Sequence, residues 1–263
     1  MSIYDSGSLM AFCVILAAIL GAVLGSFLNC AAYRIARNQP FVSGHSRCPA
    51  CGHDLGPAEL VPVISWLIQR GKCKWCGAKI SARYPLTELA FAAISVLCLL
   101  RFDLTVLCLR NYVFLGCLFL LTLTDLDAMV IPDGCHIAAT LAWLAALPLL
   151  HLPRREIILC LVAAVALGGG LLLVSLAMDK LLGRESLGGG DIKLMAVVGL
   201  YLGPIGAMFA LVLACVIGLA CHALTAKKDG DRAFPFGPSI AVAAAGMLLW
   251  GQPLINWYRA LLG

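Results

Sequence analysis

The stretch GSLMAFCVILAAILGAVLGSFLNCAAY, residues 7–33, contains no charged residue. A transmembrane α-helix needs about 20 consecutive apolar residues, so this stretch is long enough to cross a bilayer. No basic residue precedes it, which favours a retained span over a cleavable signal peptide. The 263-residue chain is 62% hydrophobic and 13% charged, against about 25% charged residues in a typical soluble domain. Its mean hydropathy is +0.96. The composition therefore excludes a soluble globular protein and predicts a bundle of membrane helices.

Apolar segments recur from the first span almost to the C-terminus. They predict an all-α polytopic membrane protein with about eight transmembrane helices, or six to eight if neighbouring segments merge. Some segments are shorter than a full span and are expected to stop at the membrane interface. After the first, the predicted spans are residues 86–100, 107–124, 135–152, 157–178, 192–202, 204–226 and 238–262.

The distribution of basic residues predicts the orientation of these spans, because loops on the cytoplasmic side carry an excess of Lys and Arg. With the N-terminus outside, fourteen of the 19 basic residues fall on the inside. The net charge of +5 is thereby explained without nucleic acid, for which no recognition helix or base-stacking platform is evident. The five basic residues left outside are Arg101, Arg110, Arg154, Arg155 and Arg259.

The polar stretch of residues 34–84 predicts a small cytoplasmic insert that binds a metal ion. It contains two Cys-x-x-Cys pairs separated by 21 residues, with a Gly after each second Cys. Four thiolates at this spacing are typical of a structural Zn²⁺ site, which leaves no open position for substrate. Two redox dithiols or unpaired thiols are the alternative interpretation. The predicted ligands are Cys48, Cys51, Cys73 and Cys76.

Two acidic residues at span ends predict a functional site, because ionisable groups in or beside transmembrane helices are costly. Asp125 ends the third predicted span and Asp191 begins the sixth. In the predicted topology both ends face the cytoplasm, so the two carboxylates can meet at one depth. Such a pair shares a proton, and one member can act as a base towards water while the other donates a proton to a carbonyl. Glycines before Asp191 permit close approach of a substrate backbone.

Several motifs resemble those of the type IV prepilin peptidases, which are intramembrane aspartyl peptidases. Gly188-Gly189-Gly190-Asp191 matches their Gly-x-Gly-Asp motif, with Glu185 before it and Lys193 after it. Asp125 followed by Pro132-Asp133 matches their first aspartate motif. Residues 25–34 and 234–238 resemble the family's N-terminal and C-terminal motifs, and the paired Cys-x-x-Cys insert lies where bifunctional members carry theirs. The motifs occur in the family's order over nearly the whole chain.

The resemblance implies a function and a location. Family members cleave the short basic leader from type IV prepilins and type II secretion pseudopilins, at the cytoplasmic face of the bacterial inner membrane. They then N-methylate the new N-terminal residue with S-adenosylmethionine, for which the sequence indicates no binding site. Asp125 and Asp191 take the catalytic positions, and the supporting positions fall on Gly188, Gly190, Glu185, Lys193, Pro132 and Asp133.

Other interpretations remain open from the residues alone. A proton- or cation-coupled transporter would also use paired membrane carboxylates, although no two-fold repeat of the hydropathy pattern is visible. Asp133 after Pro132 is also typical of a helix N-terminus. The sequence assigns no role to Asp127 and no partner to Glu88, and it leaves the oligomeric state open. The expected organisation is a first span at residues 1–33, the insert at 34–84 and a multi-span aspartyl peptidase domain at 85–263.

Overall fold

The computed structural model describes Tyr4 and residues 6–40, 45–183, 186–229 and 235–261. These ranges contain α-helices, one short 3₁₀ turn at Pro57–Glu59 and two isolated β-bridges, but no β-strand. The all-α prediction is therefore confirmed. The helices are α1 Gly7–Ile35, α2 Ile64–Ile68, α3 Arg83–Phe102, α4 Val106–Ala128, α5 Asp133–Leu150, α6 Arg154–Leu182, α7 Gly189–Asp229, α8 Gly237–Trp250 and α9 Gln252–Leu261.

Six of the described helices are long and apolar enough to cross a membrane, which identifies a multi-pass membrane protein. They are α1, α3, α4, α5, α6 and the Gly189–Leu224 part of α7. A seventh span results if α8 and α9 are counted together. The number lies within the predicted range, at its lower end, because the two segments at residues 192–202 and 204–226, although divided by the non-helical Gly203, are counted together as one element.

The chain divides into two compact units, Met1–Cys108 and Leu109–Gly263. In the first unit, α1 packs against α3 through Gly21 and Gly25, which are four residues apart on one helix face. A Cβ at Gly21 would lie 2.8 Å from the Cα of Ala92, and one at Gly25 would lie 3.1 Å from the Cα of Glu88. Small residues at this spacing let transmembrane helices approach closely.

In the second unit, α7 is broken at Gly203, whose φ of 64° and ψ of −176° are not helical. A straight helix would separate Asp191 from Gly218 by about 40 Å. Instead, Gly218 packs on Phe236. The next residue, Gly237, lies against the side chain of Ile131, and Gly190 lies against the same side chain. The chain therefore turns back at Gly203, which is the residue between the two segments predicted from sequence. Pro204 follows the break and has no backbone N–H to continue the first limb.

The first limb of α7 runs antiparallel to α6. A Cβ at Gly168 would lie 2.9 Å from the Ala196 Cβ, and the Ala164 backbone lies against Gly199. The second limb packs against α8. The apolar segment predicted at residues 238–262 is bent, because α8 and α9 meet at an angle of 77°. Gly251 separates them, and Pro253 in the first turn of α9 cannot donate a hydrogen bond back to α8.

We expect Gly199→Ala to destabilise the α6–α7 pair. The new Cβ would lie 2.7 Å from the backbone nitrogen of Ala164, and backbone cannot move aside as a flexible side chain can. Overpacking of this kind costs about 1–3 kcal/mol. Thermal unfolding of the detergent-solubilised protein measures the effect as a lowered midpoint. The control is Gly169→Ala in α6, where a Cβ meets nothing within 4 Å. Equal midpoints for the two variants would contradict the packing described.

Candidate active site and metal centre

The two predicted aspartates lie in one buried region of the second unit. Asp125 is 5% exposed and lies one turn before the end of α4, while Asp191 is 9% exposed and lies in the first turn of α7. Gly190, next to Asp191, and Gly237, which is hydrogen-bonded to Asp125, both lie against the side chain of Ile131. The structure thus brings together two acids that are 66 residues apart in the chain.

The backbone of α8 holds Asp125 in place. The Gly237 N–H donates a hydrogen bond of 3.0 Å to Asp125 Oδ2. Glycine leaves this oxygen in place, because a Cβ at Gly237 would lie 2.7 Å from it and would displace the carboxylate. Sequence reasoning assigned residues 234–238 to a motif without a specific role. Its Gly237 is therefore a site residue that the sequence located but did not explain, and Phe234 lies outside the described residues.

The Ile131 side chain connects the two aspartate segments. A Cβ added at Gly190 would lie only 2.9 Å from the Cβ of Ile131. The Cδ1 of Ile131 lies against Gly237. The next residue, Pro132, precedes α5 in an extended conformation and is its N-terminal boundary. Gly190 is thus a close-packing position, whereas a Cβ at Gly188 would lie 3.2 Å from Asp191 Oδ2. Gly188 therefore leaves space beside the carboxylate.

Lys193 and Asp133 connect the starts of α7 and α5. Lys193 Nζ lies 2.7 Å from Asp133 Oδ1, and both side chains are more than half exposed. Asp133 is the first residue of α5, as the preceding Pro132 indicated. The same residue was predicted to support the catalytic pair, and the two interpretations are compatible. Glu185, the remaining predicted supporting residue, lies outside the described residues. Asp127 is exposed and lies in the last turn of α4.

His136 is a buried polar residue that sequence reasoning missed. It lies one turn after Asp133 and is 7% exposed, with Nδ1 3.7 Å from Asp133 Oδ1. Neither of its ring nitrogens has a hydrogen-bond partner in the part of the chain that the structure describes, and Asp191 Oδ1 also lacks one there. A single His in an apolar helix carries no periodic signal, so only the fold reveals its burial.

The four predicted cysteines form a cluster that is positioned to bind a metal ion. Their Sγ atoms all lie within 4.8 Å of one another, and those of Cys48 and Cys76 are 3.9 Å apart. Tetrahedral Zn²⁺ with bonds of about 2.3 Å needs sulfurs about 3.8 Å apart, so the spacing fits. No disulfide joins any of these cysteines. The ligand set confirms a site that can hold a metal.

The two Cys-x-x-Cys pairs have the same backbone geometry. In the first, the Cys48 N–H donates to the His53 carbonyl and the Gly52 N–H donates to the Cys48 carbonyl. Cys73, Ala78 and Gly77 repeat both hydrogen bonds in the second pair. Gly52 and Gly77 have φ values of 72° and 70°, in the left-handed region where glycine is favoured. This explains the glycine after each second cysteine.

The electrostatics of the cluster also favour a cation. Backbone N–H groups of Cys51 and Ala50 point at the Cys48 sulfur and lower the pKa of Cys48 to about 7. The Ala78 N–H acts in the same direction at Cys76, but desolvation and the three neighbouring thiols raise the pKa of Cys76 to about 11. A positive ion among the four sulfurs would stabilise their thiolate forms, so the cluster is suited to a metal ion.

Contacts from Glu59 and Glu88 secure the rest of the insert. Glu59 accepts hydrogen bonds from the Gly56 N–H at 2.9 Å and from Trp75 Nε1 at 3.0 Å. The Gly56 N–H is the main reason that the pKa of Glu59 is lowered. Buried Glu88 in α3 accepts a hydrogen bond of 2.6 Å from the Val63 N–H. Glu88 thus has the partner that the sequence did not indicate.

Two known protein families match separate segments of this chain. Residues 19–102 match the family described as Bacterial Peptidase A24 N-terminal domain, and residues 112–223 match the Type IV leader peptidase family. The first match contains the four cysteines, and the second contains Asp125 and Asp191. No solved structure matches the chain.

Curated relatives match over most of the chain. A protein of Bacillus subtilis (strain 168) is 35% identical over 243 residues, covering 91% of this chain and 95% of the relative. One from Neisseria gonorrhoeae is 30% identical and covers 97% of each chain. One from Aeromonas hydrophila is 35% identical and covers 81% of this chain and 74% of its own. All three are named prepilin leader peptidase/N-methyltransferase.

Proposed function

This chain belongs to the type IV leader peptidase family, and on that premise we propose that it is a membrane aspartic endopeptidase and N-methyltransferase. Its substrates are type IV prepilins and type II secretion pseudopilins, from which it removes the basic leader. The observation that carries the proposal is the buried pair of Asp125 and Asp191 at the ends of α4 and α7. No observation favours the transporter alternative, and the family is one of peptidases.

Asp125 and Asp191 perform the hydrolysis without a covalent intermediate. The ionised carboxylate takes a proton from a water molecule whose oxygen attacks the scissile carbonyl carbon. The protonated carboxylate donates its proton to the carbonyl oxygen, and a proton then passes to the amine nitrogen as the C–N bond breaks. The two acids share protons as a unit, so neither is permanently acid or base.

The surrounding residues position this pair. Gly237 orients the Asp125 carboxylate through its backbone N–H. Gly188 leaves space at Asp191, and Gly190 lets α7 start against Ile131. The Lys193–Asp133 ion pair fixes the start of α7 relative to α5. A substrate whose own N-terminal helix lies in the bilayer would present its leader junction at a fixed depth, so membrane insertion contributes to orientation.

The four-cysteine cluster holds Zn²⁺ in a structural role. Zn²⁺ fits because the donors are thiolates at tetrahedral spacing, and a closed site of four cysteines has no position for substrate. The ion organises an insert that is too small to build a large core. Methylation is assigned to the chain through its family, and S-adenosylmethionine, when bound, supplies an electrophilic methyl group for the new α-amine. No residue is assigned to its binding.

The proposed location is the bacterial inner membrane, with the insert and both aspartates at the cytoplasmic face. Support comes from the distribution of the basic residues between the predicted loops. Prepilins are inserted with their basic leader on that side, which matches the side on which the aspartates are predicted to lie.

Asp125→Asn and Asp191→Asn are expected to abolish cleavage, because each removes a proton-transfer group. Loss of one such group costs about 10²–10⁴-fold in rate. Mass spectrometry of a purified prepilin incubated with the solubilised protein measures leader removal. The control is Asp127→Asn, an exposed acid two residues from Asp125. If both dyad variants remain folded and still cleave, the catalytic assignment is wrong.

Gly237→Ala is expected to slow cleavage by about 10²-fold, since a displacement of about 1 Å at a catalytic group has that cost. The new Cβ would lie 2.7 Å from Asp125 Oδ2 and would push the carboxylate away. Single-turnover cleavage rates measure the effect. Gly246→Ala, in the same helix with nothing within 4 Å of its Cβ, serves as the control. Unchanged rates in both variants would refute the positioning role.

Cys48→Ser and Cys73→Ser are expected to release zinc and to abolish methylation. Replacing one thiolate opens a site whose geometry needs all four. Elemental analysis gives the zinc content, and a mass increase of one methyl group on the cleaved product reports methylation. Cys215→Ser, at an exposed position in α7, is the control. Intact methylation by a demonstrably zinc-free protein would overturn the link between the zinc site and methylation. Leader cleavage by the same variants tests Asp125 and Asp191 separately.

A further inference from the structure

We propose that the insert docks on the lipid bilayer through residues 61–68, with Arg70, Lys72 and Lys79 binding anionic lipid headgroups beside them. The surface formed by residues 61–68 is called the docking segment below. It contains α2 and lies between the two Cys-x-x-Cys pairs. The inference goes beyond the proposed peptidase and methyltransferase activities and does not depend on them.

The docking segment exposes large apolar side chains that water would not favour. Ile64 is 55% exposed, Leu67 is 60% exposed and Ile68 is 77% exposed, although the segment belongs to the polar insert. Contiguous exposed apolar side chains of this kind mark sites of contact with a membrane or a protein. Because α2 has only five residues, it is too short to cross the bilayer and would lie in its interface.

The contact with α3 fixes the depth of the segment. Glu88 Oε2 accepts a hydrogen bond of 2.6 Å from the Val63 N–H. Glu88 lies five residues after Arg83, the first residue of the membrane-spanning α3, and therefore about 7–8 Å along that helix. Val63 is consequently beside the second turn of a helix that is long and apolar enough to span the membrane.

The backbone at Val63 is held in an unfavourable conformation by contacts on both sides. Its φ of 61° and ψ of −51° are sterically unfavourable for a β-branched residue, and the Ile64 N–H closes the turn by donating to the Pro62 carbonyl. Glu88 is 6% exposed and holds the turn from the α3 side. The apolar side chains that follow are therefore tied through Val63 to α3, a helix long and apolar enough to span the membrane, and this connection favours lipid as the occupant.

A cavity lined by basic residues lies next to the docking segment. Its positive charge indicates that the bound lipid headgroups are anionic. It has a volume of about 590 Å³, and its lining includes Trp66, Arg70, Lys72 and Lys79 but no acidic residue. Trp66 is held by a hydrogen bond of 3.2 Å from Nε1 to the Ile80 carbonyl. Trp is enriched at membrane interfaces, and cations near the surface attract anionic lipids. An anionic phospholipid satisfies both the cavity and the apolar segment.

Fluorescence quenching in nanodiscs tests the depth of the segment. The full-length protein carries the fluorescent amino acid acridonylalanine in place of Ile68, and the lipids carry bromine near the headgroup end of their chains. We expect quenching as strong as for the same label at Leu89, an exposed position in α3. The label at Ala50, exposed between the first two cysteines, is the control and should be quenched much less. Quenching at position 68 no stronger than at position 50 would overturn the proposal.

A second measurement tests the headgroup site. Quenching at position 68 is compared in nanodiscs of phosphatidylcholine with and without phosphatidylglycerol, and in the presence of inorganic phosphate. We expect phosphatidylglycerol to strengthen quenching and the combined variant Arg70→Gln, Lys72→Gln, Lys79→Gln to remove that increment. Lys74→Gln, outside the cavity lining, should retain it. Loss of the increment in Lys74→Gln, or its reproduction by inorganic phosphate alone, would overturn the headgroup assignment.

Discussion

The hydrogen bond from the Gly237 N–H to Asp125 is the contact on which the site depends, because it connects two helices that are far apart in the chain. At a span end, a carboxylate without a partner is expensive, and a backbone amide at the start of α8 is free to donate because helix N-termini leave such groups unpaired. The geometry needs a residue without a Cβ. Ile131 then fills the space between this contact and Gly190 at the start of α7. The Gly237 hydrogen bond and the packing of Ile131 against Gly190 and Gly237 therefore bring Asp125 near Asp191.

Close approach between helices is the second constraint on the fold. Lipid chains are as apolar as the helix surfaces, so association in a bilayer depends on packing and not on the hydrophobic effect. Gly21 and Gly25 permit it between α1 and α3, and Gly168 and Gly199 permit it between α6 and the first limb of α7. Gly169 and Gly170 meet no neighbour, although they adjoin Gly168 in sequence. A run of glycines therefore contains one packing position and two that face open space.

The insert follows a different physical logic from the membrane helices. Its order comes from two equivalent loops that aim thiolates and backbone amides at one point, and from Glu59, which ties the second loop to Gly56 through Trp75. A metal ion bound at that point would provide folding free energy that a small apolar core cannot. The chain thus combines apolar membrane helices with a module built around four cysteines positioned to bind a metal, and Glu88 joins the module to α3 through Val63.

The sequence by itself determined the helical class and the approximate span positions, and it located four cysteines as candidate metal ligands and two aspartates as candidate catalytic groups. Those features are local, because hydropathy over 20 residues or the spacing of a Cys-x-x-Cys pair is set by covalent neighbours. Only the tertiary structure decided that Gly237 holds Asp125, that His136 is buried and that Val63 is the partner of Glu88. It also decided the 77° bend between α8 and α9. Each of these depends on backbone atoms or cavities contributed by residues distant in the chain, and no periodic pattern in the sequence records which distant backbone a side chain will meet.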